Sequence, residues 1–175
     1  VPRRFQVRQD QQLIPHHQWC HTVHYPVDQF KHWNKFYGRK GFHEYQFVVS
    51  EKNFESVYNE FLKICDNYSL KPFFAVVKKF GSFKREGVLS FPKAGFTLMA
   101  DFENKPDNLT VFQLLNDFIL KNDGRTYFAK DSYSTKEQIY SMYPTLNDWQ
   151  EIVKRYDPEN KFQSNLSMRL GLKPW

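Results

Sequence analysis

The sequence predicts an α+β domain: a ferredoxin-like antiparallel sheet in βαββαβ order, helices on one face, and a helical C-terminal tail. Three features predict it. Aromatic and β-branched runs of strand length recur, stretches with helical spacing of apolar residues separate them, and after residue 130 the texture turns helical.

Residues 43–50 (His-Glu-Tyr-Gln-Phe-Val-Val-Ser) alternate in part and read as the first strand. Phe54, Val57, Tyr58, Phe61, Leu62 and Cys65 then follow at i, i+3, i+4, i+7, i+8 and i+11, which puts one apolar stripe on a helix. Residues 73–80 read as a second strand. Gly81 and Gly87 bound a polar loop, and Leu89-Ser90-Phe91 reads as a short extended piece closed by Pro92. Residues 95–102 form another strand, and 109–121 a helix with Asp107 or Asn108 available as its N-cap. Arg125 to Ala129 supply a closing strand. Downstream, Ser134-Thr135-Lys136-Glu137 fits a capping box. Thr145 precedes an amphipathic turn carrying Leu146, Trp149, Ile152 and Val153, and Tyr156-Asp157-Pro158 breaks that helix. Residues 1–22 are polar and Gln-rich, the pattern of a connecting arm ending near Pro26.

A chain of 175 residues suffices for one compact domain with a real core. The 41% hydrophobic content argues against disorder, and no apolar run is long enough to span a bilayer. The start, Val1-Pro2-Arg3-Arg4, reads as a cut in a longer chain or a processed end. Aromatics reach 18%, a load that fills cores and also suits pockets for rings or sugars. The net charge of +6 favours anionic partners. Cys20 and Cys65 are far apart, so they imply no disulfide framework or zinc site.

Three constellations stand out. His17 and His21, with His16 and His24 nearby, have i, i+4 spacing, but no H-E-x-x-H pattern or further ligand accompanies them, and no metal site is expected. The stretch from Lys40 to Phe47 is superficially like an RNA-binding strand motif. Glu44 replaces its middle aromatic and would repel phosphate, so RNA or anion binding by a standalone ferredoxin-like module stays a minor alternative, and no nucleic-acid partner is expected. The segment Gly124-Arg125-Thr126-Tyr127-Phe128-Ala129-Lys130-Asp131-Ser132 has the look of a site loop, although spacing alone favours an ordinary surface Lys-Asp pair.

That segment, followed by Met142-Tyr143-Pro144, Trp149, Tyr156-Asp157-Pro158, Phe162, Ser164 and Arg169-Leu170-Gly171-Leu172, resembles the C-terminus of FAD-linked oxidases of the vanillyl-alcohol oxidase superfamily. The decaprenylphosphoryl-β-D-ribose 2′-oxidase branch is the nearest pattern. Upstream the likeness runs through Pro26-Val27-Asp28, Trp33 to Gly38, Tyr45-Gln46-Phe47-Val48, Val77 to Gly81, Leu89 to Pro92, Gly95-Phe96 and Asp101-Phe102.

The resemblance implies an enzyme that oxidises a sugar hydroxyl by hydride transfer to FAD. Matched motif by motif, it gives Lys130 the catalytic position beside the reacting hydroxyl and sets Tyr127 beside the flavin ring. It gives Gln46, Lys78, Thr97, Met99 and His24 places around the substrate. It implies residues 23–129 as a substrate-binding domain and 130–175 as a helical segment returning to an N-terminal FAD domain that holds most of the cofactor. Without that domain, the tail helices are expected to expose an apolar face or pack differently. The implied partners are a polyprenyl-phosphate sugar or related sugar, the FAD domain of the same protein, and a short-chain-dehydrogenase-type reductase. The implied location is cytoplasmic or peripheral at a membrane.

Some residues depart from the pattern. Met99 stands where members carry a pocket Cys, Thr97 where they carry Asn, and Glu44 at a usual Gln. His24-Tyr25 inverts the usual aromatic–His order. The last three touch the pocket wall, so they bear on substrate identity. A sugar-lactone oxidase of the same superfamily is the alternative enzyme.

Overall fold

The computed structural model of the chain describes residues 32, 35, 37–82 and 87–175, and residues 40–175 form one compact unit. The expected arm 1–22, the histidine group including His24, and Pro26, Trp33 and Asn34 lie outside the described residues.

The unit is α+β. Strand β1 (Phe42–Val49) leads to helix α1 (Glu51–Asn67), then β2 (Pro72–Phe80), β3 (Gly95–Glu103), α2 (Asn108–Lys121) and a two-residue β4 (Arg125–Thr126). The sheet order is β2-β3-β1-β4 with every neighbour antiparallel, the arrangement that βαββαβ succession predicts. A 3-10 turn (Phe128–Lys130) follows, and helices α3 (Lys136–Met142), α4 (Leu146–Tyr156) and α5 (Asn165–Arg169) complete the chain.

Alternation decides which way each strand faces. Tyr45, Phe47 and Val49 of β1 and Leu98, Ala100 and Phe102 of β3 are buried with Val57, Phe61, Phe112 and Leu115 of the helices. Tyr45 stacks on Phe112 with ring centroids 5.3 Å apart and an interplanar angle of 7°. The intervening residues therefore point to the opposite face of the sheet, away from α1 and α2. Burying a Phe or Leu side chain contributes about 1.5–3 kcal/mol, so this one-sided core fixes the register of the central strands.

The tail builds a second core. Ile139, Met142, Tyr143, Leu146, Leu170 and Leu172 pack with Leu89, Leu120 and Phe128. A buried polar chain links it to the sheet: the Tyr45 hydroxyl donates to Asn116 Oδ1 (2.9 Å), and Asn116 Nδ2 donates to Ser134 Oγ (3.0 Å). Gln138 of α3 donates to Asp117 of α2 at 2.6 Å. Ile152, Tyr156, Phe162 and Met168 remain exposed on the tail.

Several local expectations need correcting. The capping box at α3 uses Thr135 and Gln138, one residue later than Ser134 and Glu137, because Ser134 is buried and its hydroxyl takes the Asn116 bond. The closing strand stops at Thr126, where the chain tightens into the 3-10 turn. Leu89 to Phe91 is a turn and loop rather than extended strand, with Phe91 buried against Phe80 and Tyr127. Asp107 is the N-cap residue of α2 but makes no side-chain cap bond, while Asn108 donates to the Glu103 carbonyl at 2.7 Å. Helix α5 was not foreseen; its capping box pairs Ser164 with Ser167.

Gly95 opens β3 at φ +140°, and a Cβ there would lie 2.0 Å from the Val49 carbonyl oxygen, where β1 leaves for α1. Gly95→Ala should destabilise the fold by about 2 kcal/mol or more, read as a lower urea midpoint.

The buried Asp157 carboxylate stops the chain after α4. It accepts from Lys161 N (2.7 Å), Phe162 N (3.1 Å) and Lys173 Nζ (2.6 Å), and the Lys173 bond is the main cause that holds its carboxyl below the usual range. A lowered folded value means the stabilisation is present above the unfolded value near 3.9 and is lost as pH falls through the folded one. Asp157→Asn should therefore lower stability at neutral pH and flatten the fall in melting temperature below about pH 4. Parallel melting profiles for the two proteins would contradict this.

Candidate substrate site on the open face of the sheet

On the sheet face away from α1 and α2, strand pairing lays the residues out as rows. Gln46 of β1 sits opposite Met99 of β3, which sits opposite Val76 of β2; Val48, Thr97 and Lys78 form the next row, and Glu44, Asp101 and Phe74 the one before. Gln46, Thr97, Met99 and Lys78, matched separately in the sequence, thus share one face. Cross-strand neighbours on one face have Cβ atoms about 5 Å apart, so this is one surface.

The residues differ in what they can reach. Thr97 is buried: its hydroxyl donates to the Phe47 carbonyl (2.8 Å) and accepts from Gln46 Nε2 (3.1 Å). It orients Gln46. Met99 is half-buried between Gln46 and Val76, and Lys78 is exposed near the sheet edge.

The loop after β4 forms the other wall. The Tyr127 amide donates to the Gln46 carbonyl at 3.0 Å, carrying the chain past β1, and the Tyr127 ring stacks on Phe91 with centroids 4.6 Å apart. Lys130 ends the 3-10 turn, and its Nζ donates to Glu44 Oε2 at 2.8 Å. Asp131 fixes the exit: one carboxylate oxygen accepts from the Tyr133 and Ser134 amides (3.2 and 2.8 Å), and the other pairs with Arg169 Nη2 at 2.6 Å. The turn bearing Lys130 is therefore held from β1 and from α5.

Glu44, Gln46, Tyr127, Lys130 and Tyr133, with Tyr45 and Phe112 from the core side, line a small crevice of about 10 Å³ beside β1. That is room for about one water molecule. Burial pushes the Tyr133 phenol up to about 12 and the Tyr45 phenol well above its usual range, so both are neutral at physiological pH. Sequence reasoning placed Lys130, Tyr127 and Gln46 here and missed Glu44 as the partner of Lys130, which lies 86 residues away. The RNA-binding comparison fares poorly on this geometry. Phe47 lies in the core and Glu44 is ion-paired, so β1 offers no row of stacking rings. Among the described residues no group of three or more His, Cys, Asp or Glu side chains is arranged to hold a metal.

This part of the sheet thus brings together a lysine, an amide and an aromatic side chain. Residues 95–170 match the family model of D-arabinono-1,4-lactone oxidase. The chain is 36% identical over 151 residues to decaprenylphosphoryl-β-D-ribose oxidase of Mycolicibacterium smegmatis, a match covering 85% of this chain and 32% of that protein. An uncharacterized protein in the mprA 5′ region of Streptomyces coelicolor is 35% identical over 98 residues, 55% of this chain and 26% of that protein. The chain thus spans about a third of the length of the curated relatives it matches.

Asp131→Ala should cost about 2–3 kcal/mol, because it strips two amides and Arg169 of a nearly buried acceptor. Urea denaturation measures it, and a loss under 0.5 kcal/mol would show that water replaces the carboxylate.

Proposed function

We propose that this chain supplies the substrate side of an FAD-dependent oxidoreductase that oxidises a sugar hydroxyl. The observation that carries the reading is the convergence of Lys130, Gln46 and Tyr127 on one crevice beside β1, in a chain similar to a sugar oxidase over 85% of its length. Flavin, when bound, accepts the hydride from the C–H bond while the hydroxyl proton leaves, turning the alcohol into a carbonyl. Lys130 donates a hydrogen bond to that hydroxyl and stabilises negative charge developing on its oxygen. Gln46, its amide oriented by Thr97, hydrogen-bonds a neighbouring hydroxyl. Tyr127, braced on Phe91, is the aromatic surface against which a flavin ring would rest. Met99, beside Gln46 on the same face, contributes an apolar contact to the substrate.

Most of the cofactor is held by an N-terminal domain of the same protein, as the resemblance to FAD-linked oxidases implies. Residues 130–175 return toward that domain, and this chain alone neither retains FAD tightly nor turns over substrate. The substrate is a polyprenyl-phosphate sugar, with Lys78 meeting its phosphodiester by a charge-assisted hydrogen bond. The product ketone passes to a short-chain-dehydrogenase-type reductase. No helix among the described residues is long and apolar enough to cross a membrane, and the protein meets the bilayer peripherally through its lipid-linked substrate. A sugar-lactone oxidase is the second reading, favoured by the family match over residues 95–170.

In the full-length protein, Lys130→Ala should slow flavin bleaching by substrate at least about 100-fold while the bound-FAD spectrum persists. An unchanged rate would remove Lys130 from this role. Bleaching by an aldonolactone but not by a polyprenyl-phosphate ribose would select the second reading.

A further inference from the structure

Glu44 has no part in the chemistry above, yet it is the residue Lys130 touches. The carboxylate lies on the open face of β1, its side chain 18% exposed against 37% for Lys130, with 2.8 Å between the charged atoms. Both line the crevice together with Gln46 and Tyr127. Across the sheet, Glu44 is in register with buried Asp101; beside Lys130, Asp131 is already paired with Arg169. The cation that sequence alone would credit to this end of the site is therefore cancelled where it stands. One row of the sheet beyond Gln46, exposed Lys78 sits opposite Thr97 with no acidic partner among the described residues.

We propose that Glu44 is a specificity-determining residue: as the counter-charge of Lys130 it makes the reacting end of the crevice electrically neutral. That end then admits an uncharged sugar or polyol hydroxyl, excludes phosphate, and leaves any anionic part of the substrate to the Lys78 end. This rests on the reading of the open face as the substrate site. The physical ground is that a phosphate brought to Lys130 must displace or approach Glu44, and like charges at hydrogen-bonding range are disfavoured. A hydroxyl meets no such penalty. It shares the ammonium, whose three protons allow one bond to Glu44 and another to the substrate oxygen.

The test uses the full-length, flavin-bound protein and inorganic phosphate as the probe, with binding measured by calorimetry so that turnover is not needed. Glu44→Gln keeps the shape and removes the charge, and phosphate should bind about fivefold tighter, the effect of one unit charge at about 8 Å in a half-exposed site. Lys130→Met should weaken phosphate by a similar factor, and the double variant should fall back near the parent. In steady state, Glu44→Gln should raise KM for a neutral sugar substrate less than it raises acceptance of a sugar phosphorylated near the reacting carbon. Glu44→Asp, which keeps the charge, should preserve the parent's preference. Phosphate affinity unmoved by both Glu44→Gln and Lys130→Met overturns the proposal, and Lys130→Met carries the test alone should Glu44→Gln not fold. Failure of the oxidase reading would look different, with intact flavin reduction in Lys130→Ala.

Discussion

The period-two alternation of β1 is the constraint on which the rest of this unit depends. As a central strand it is hydrogen-bonded on both sides, to β3 along its whole length and to β4 at Val48 and Phe47. Its odd-numbered residues from Tyr45 to Val49 belong to the helix-side core. A slip of one residue would bury Glu44 and Gln46 under α1 and α2 and expose Tyr45 and Phe47. The cost of burying a carboxylate and an amide without partners far exceeds any local gain, so the core dictates the site. The opposite face is mixed, with Glu44, Gln46, Thr97 and Lys78 beside Val48, Met99 and Val76.

A second dependence runs through Tyr45. Its ring is core, but its hydroxyl is polar and buried, and it must find an acceptor. Asn116 supplies it and passes the demand on to Ser134, at the entry to α3. Each such bond is worth about 1 kcal/mol net, but an unmade one costs about 1–3 kcal/mol. The tail is thereby drawn to one position on the unit, and Tyr143 adds a bond to the Thr126 carbonyl at 2.6 Å. The turn carrying Lys130 lies between these anchors, so its placement follows from hydrogen bonds made by residues that touch no substrate.

How much of this was legible in the sequence depended on range. The strands and the two long helices follow from spacing within a dozen residues, and the strand order from the βαββαβ succession. That Gln46, Thr97 and Lys78 share a face needed the register, which spacing alone leaves open until Leu98 and Phe47 are known to be core partners. The capping box was misplaced by one residue because Ser134 and Thr135 are chemically alike, and only the distant Asn116 removes Ser134 from the choice. The short β4 was overextended, since Tyr127 and Phe128 have strand-like side chains whose actual partners are Phe91 and Tyr143. Lys130 emerged from its motif. Its pairing with Glu44 had no local signal, only the oddity of an acid on a mostly aromatic and aliphatic strand.

The same pair explains why a half-open face suits this site. With side chains 18% and 37% exposed, the Glu44–Lys130 contact is screened by water and worth little, on the order of 0–1 kcal/mol. A weak pair can be shared with an incoming hydroxyl at little expense. Once a substrate and a second surface cover the crevice, water leaves and the local dielectric falls, so each charge interacts more strongly with what remains. Negative charge developing on a substrate oxygen then competes with Glu44 for Lys130 under conditions where that competition matters most. An open sheet face thus keeps the lysine available before the site closes and gives it strength afterwards, a sequence that a fully buried pair could not provide.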